Sequence, residues 1–96
     1  MTEYEAINKL QSIIRQMNSV KKEYDRKYMF QSSSFFQQYM SQHLYPLLDQ
    51  MEPLWDIISE SKCESLQVEN IWTGEGGTIE LPMWMYFFNN WLNLSR

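Results

Sequence analysis

The chain has 96 residues, 44% of them hydrophobic, with four Trp, six Tyr and five Phe. That length fits one domain, residues 1–96, which buries only about 60–65% of its unfolded surface and so needs an efficient core. The lone cysteine, Cys63, excludes an internal disulfide; the acidic start Met1-Thr2-Glu3-Tyr4-Glu5 is unlike a secretion signal, and no apolar run reaches the roughly 18–20 residues of a membrane span. A cytoplasmic protein with no membrane partner is expected.

The net charge of −4 is unevenly divided. Residues 1–31 carry Lys9, Arg15, Lys21, Lys22, Arg26 and Lys27 against Glu3, Glu5, Glu23 and Asp25, a net +2. Residues 32–96 carry Lys62 and Arg96 against Asp49, Glu52, Asp56, Glu60, Glu64, Glu69, Glu75 and Glu80, a net −6. Such asymmetry bears on partners rather than on fold.

Thr2 and Glu5 have the spacing of a capping box. Ala6, Leu10, Ile13, Met17, Val20 and Tyr24 then recur at intervals of four and three, which predicts a helix over about 2–27. Glu3 and Glu5 at its start and Lys21, Lys22, Arg26 and Lys27 near its end suit the helix dipole. Ser34 with Gln37 repeats the box spacing, and Phe36, Met40, Leu44, Leu47, Met51, Leu54 and Ile58 continue the three-and-four pattern. Pro46 and Pro53 interrupt it, but both project about 140–160° from the centre of the apolar stripe, where water satisfies the freed carbonyls. One kinked helix over about 34–61 is therefore expected, in preference to three short ones.

Leu66, Val68 and Ile71 alternate with polar residues, Gly74-Glu75-Gly76-Gly77 offers a reversal, and Thr78 to Leu81 alternates again. This predicts a β-hairpin over about 66–81 that must pack on the helices. Pro82 suits a helix start, and Trp84, Phe87, Phe88 and Trp91 share a face opposite Asn89 and Asn93, predicting a helix over about 82–94. Residues 83–88 are too uniformly apolar for periodicity to exclude a strand. The expected fold is α+β, mainly α: two long antiparallel helices, a hairpin and a C-terminal helix around one core.

The sequence contains little catalytic material. His43 is the only histidine, so histidine-pair metal sites are excluded and no metal or cofactor is expected. Nothing around Cys63 resembles a cysteine-enzyme signature; a Cys63/His43 pair is a remote alternative to a protein without enzymatic activity. Glu75 would repel an anion from the glycine loop, which favours a turn over a phosphate cradle. Asp49, Glu52, Asp56 and Glu60 project away from the second helix's apolar stripe in a row with no interleaved Lys or Arg, either a solvated face or a recognition surface for a basic partner. Met83, Met85 and Tyr86 fall outside the last helix's central stripe and suit a partner contact or a homodimer.

These features together predict a small acidic protein-binding module that occupies a basic surface of a larger protein, as inhibitors and immunity-type proteins of bacteria and phages do. The alternative is a nucleic-acid-associated regulator that uses the basic end of the first helix beside Tyr24 and Tyr28.

Overall fold

The capping box forms: the Glu5 amide donates to Thr2 Oγ1 at 3.1 Å, and the Thr2 amide and hydroxyl donate to Glu5 Oε1. From it runs α1 (Glu3–Lys27), which buries Ala6, Leu10, Ile13, Ile14, Met17 and Tyr24 on one face. The structure, a computed structural model, describes residues 1–94. Each fully buried Leu, Ile or Met on that face contributes roughly 1.5–3 kcal/mol, far more than propensity alone. After Tyr28 caps α1, the Gln31 amide donates to the Tyr28 carbonyl at 3.0 Å, so Tyr28–Gln31 forms a tight turn.

The second helix begins two residues earlier than the Ser34–Gln37 spacing predicts. Ser32 caps α2 (Ser33–His43), its Oγ accepting the Phe35 amide at 3.2 Å. Ser32 directly follows the turn, so capping from it leaves no loose residues between turn and helix.

The single kinked helix over 34–61 is not what forms. Leu44 (φ −105°, ψ −47°) joins α2 to α3 (Tyr45–Met51), and Glu52–Asp56 tighten into a 3-10 turn. The backbone stays right-handed through both joints, and both prolines lie exposed, as their outward projection predicts. The ladder nevertheless breaks, because Pro46 and Pro53 have no N–H for the carbonyls one turn earlier. At Ser59 (φ −63°, ψ 148°) the chain turns extended, and a separate helix α4 (Glu60–Ser65) follows. A tie absent from the periodicity fixes this break: the Ser59 amide donates to Glu3 Oε2 at 3.0 Å, and Lys62 pairs with the other oxygen of Glu3. This tie holds the residue 59 end of the second arm to the start of α1, while Phe36 packs against Tyr24 near the end of α1, ring centroids 5.2 Å apart. The two arms are therefore antiparallel, with α3 and the 3-10 turn against α1.

β1 (Gln67–Glu69) and β2 (Thr78–Glu80) form an antiparallel hairpin with Val68 opposite Ile79. The strands are shorter than the predicted span, and Ile71 lies in the connecting loop. Asn70 closes that loop: its Oδ1 accepts the amides of Trp72 and Thr73, and its Nδ2 donates to Thr73 Oγ1 and to the Gly76 carbonyl. Gly74, Gly76 and Gly77 all have φ between 69° and 79°, a conformation open to glycine at little cost.

α5 (Leu81–Leu94) follows β2 directly, so residues 83–88 are helical. It buries Leu81, Trp84, Phe88 and Leu92 into the one hydrophobic cluster that all the longer elements share. The fold is thus α+β and mainly helical. Inside the cluster, Trp84 Nε1 donates to Oδ1 of buried Asn18 at 2.8 Å, pinning α5 to α1. Asn18 Nδ2 reaches the Glu69 carbonyl at 3.4 Å, which brings β1 into the same junction.

Candidate partner-binding surface

Asp49, Glu52, Asp56 and Glu60 are all exposed, but three segments carry them: α3 for Asp49, the 3-10 turn for Glu52 and Asp56, and the first position of α4 for Glu60. The row therefore does not lie on one helix. Asp49, Glu52 and Asp56 stay on one right-handed stretch, and Glu60 follows after the extended Ser59. Among the described residues none of the four joins an ion pair.

Trp55 lies inside this run, and helical periodicity alone does not single it out. Helical periodicity puts Trp55 at the margin of the apolar stripe, yet it is 37% exposed. A 3-10 turn advances about 120° per residue rather than about 100°, and so swings Trp55 outward between Glu52 and Asp56. The proline that tightens the turn is thus also the signal that would have found it.

The basic end of α1 has the opposite character. Lys21 pairs with Asp25 at 2.5 Å, Lys22 with Glu69 at 2.8 Å, and Arg26 and Lys27 both with Glu23 at 2.8 and 2.6 Å. Lys27 and then Arg26 hold the Glu23 carboxyl down at about 2, and Lys22 lowers that of Glu69. Lys21 Nζ also lies 5.1 Å from the centre of the Trp72 ring. Tyr24 is buried and Tyr28 half-buried, in a cluster with Phe35 and Tyr39. The cations proposed for phosphate contact are thus already matched by carboxylates, and the aromatic faces pack on one another.

On α5, Met83 is 51% and Tyr86 61% exposed, and Met85 packs half-buried against the core. A depression of about 400 Å³ lies beside Met83, lined also by Gln67, Thr78, Ile79 and Glu80. A second, of about 340 Å³, lies between α1 and the hairpin, over Ile14 and Val68.

Cys63 and His43 are the remaining candidates. Cys63 is half-buried, and desolvation, followed by the carboxylates of Glu3, Glu60 and Glu64, pushes its thiol up, away from the reactive thiolate. The exposed His43 ring lies against Tyr39, centroids 4.5 Å apart. No group of three or more metal-ligating side chains occurs among the described residues, and none of the described helices is long and apolar enough to cross a membrane. The chain matches no known protein family, no curated protein and no solved structure.

Proposed function

We propose that this protein is a binding module, of inhibitor or immunity type, that applies Asp49, Glu52, Asp56 and Glu60, with Trp55 among them, to a basic surface of a larger cytoplasmic protein. One observation carries the reading: four exposed carboxylates have no cation among the described residues, whereas the cations at the end of α1 are matched. Unpaired carboxylates close together in the chain add self-repulsion that a basic partner removes, and they steer that partner's approach. An exposed tryptophan close in the chain to Glu52 and Asp56 has the residue type of an interface anchor. The paired state of Lys21, Lys22, Arg26 and Lys27 weighs against the nucleic-acid reading, which needs a free basic footprint at that end of α1.

The test is affinity purification from the source organism's lysate, followed by binding measurements on the recovered partner at low and high salt. Asp49→Asn/Asp56→Asn/Glu60→Gln together should weaken binding and flatten its salt dependence, with stability changed by less than roughly 0.5 kcal/mol per site. Unchanged affinity and salt dependence in that variant, or recovery that nuclease abolishes, would overturn the reading.

A further inference from the structure

The hairpin has only two strands, and their register decides which backbone groups are left over. The Asn70 amide donates to the Gly77 carbonyl at 3.0 Å and the Leu81 amide to the Leu66 carbonyl at 2.8 Å, so the pairs 70·77, 68·79 and 66·81 face each other. In an antiparallel ladder the alternate residues point the other way. On β1 those are Gln67 and Glu69, and the Glu69 carbonyl is covered by Asn18 of α1. On β2 they are Thr78 and Glu80, both exposed, on a strand with no second neighbour. The Thr78 N–H and C=O and the Glu80 N–H therefore point outward along a free edge.

Three further features meet at that edge. The depression of about 400 Å³ is lined by Thr78, Ile79, Glu80 and Met83. Met83, on the adjoining helix, is exposed beside that depression. Glu80, on the strand itself, joins no ion pair among the described residues. We propose that β2 is a strand-addition site for an extended segment of a partner protein that alternates basic and apolar residues. The segment's backbone bonds to Thr78 and Glu80, an apolar side chain fills the depression over Ile79 and Met83, and a neighbouring Lys or Arg meets Glu80. Charge selects this occupant over a second copy, because antiparallel β2–β2 pairing would bring two Glu80 side chains to one short ladder. The site does not depend on the Asp49–Glu60 row.

The probe is a short synthetic peptide alternating Lys and Val, titrated into the ¹⁵N-labelled full chain, with a Lys/Gly peptide of equal charge as control. In the free protein the Thr78 and Glu80 amides should exchange rapidly, and the Lys/Val peptide should slow both. Glu80→Lys, which turns an attractive cross-strand pair into a repulsive one, should weaken binding about fivefold. Met83→Ala should weaken it about tenfold. Thr78→Pro removes an outward N–H without touching the bonds to β1, and should also weaken binding about fivefold. If Thr78→Pro disturbs the fold, the two exposed-site variants carry the test. Equal binding of the Lys/Gly peptide, or exchange at Thr78 and Glu80 that the Lys/Val peptide leaves unchanged, would overturn the proposal. So would binding lost in the Asp49/Asp56/Glu60 variant but kept in Glu80→Lys, or a peptide-free dimer in which Thr78 and Glu80 are already protected.

Discussion

Replacing Asn18 with leucine tests what holds α5 to the rest of the molecule. Leucine nearly matches asparagine in shape, and the site is 1% exposed beside a Trp84 that is fully buried. The substitution therefore opens little space, but it strips the acceptor from Trp84 Nε1, now bonded at 2.8 Å. A buried donor left without a partner costs about 1–3 kcal/mol. The Glu69 carbonyl loses only a long 3.4 Å contact, which adds little. Taking about 2 kcal/mol, and about 4–8 °C per kcal/mol for a domain of this size, the melting temperature should fall by about 8–16 °C. Thermal and urea unfolding measure this. The cycle with Trp84→Phe isolates the pair, since the double variant should lose less than the sum of the singles by about 0.5–3 kcal/mol. If Asn18→Leu unfolds within about 0.5 kcal/mol of the natural protein, the junction is not the hydrogen-bonded lock described here.

Asn70→Ala removes an acceptor of two amides and a donor to two oxygens at a position 8% exposed, so the Trp72 and Thr73 amides should exchange faster and stability should fall by about 1–3 kcal/mol. Glu23 binds Lys27 and Arg26 with its carboxyl lowered from 4.5 to about 2, so its contribution is complete above pH 4.5 and is lost as pH falls through about 2. Stability measured over that range should decline, and Glu23→Gln should flatten the decline.

The sequence makes α1 legible end to end, because Thr2, Glu5 and the stripe from Ala6 to Tyr24 agree on cap, length and face. α5 is legible as a helix from Pro82 and the face of Trp84 and Phe88. The arm from Ser33 to Ser65 is legible only in its buried residues: Phe36, Met40, Leu44, Leu47, Met51, Leu54 and Ile58 are all buried. Its segmentation is not, since Ser59 is set by Glu3, a residue 56 positions away. The same limit applies to the row at 49–60, whose spacing assumes one continuous helix. The open edge of β2 was hidden for another reason. Alternation marks a strand's two faces, but which of its edges is covered depends on where Asn18 and α1 lie.

The distribution of indoles makes the protein its own optical reporter. Trp72, Trp84 and Trp91 belong to a single aromatic cluster around α5, with Trp72 6.0 Å from Trp84 and 6.5 Å from Trp91. Trp55 is in no aromatic pair among the described residues, and it is the one tryptophan on the exposed side. Its emission should lie to the red of the other three and yield first to a dissolved quencher. Flanked by Glu52 and Asp56, it should respond more to a cationic quencher than to an anionic one. A ligand seated on the acidic run would shield that one fluorophore and leave the core emission unchanged, so occupancy there can be followed by light without attaching a dye.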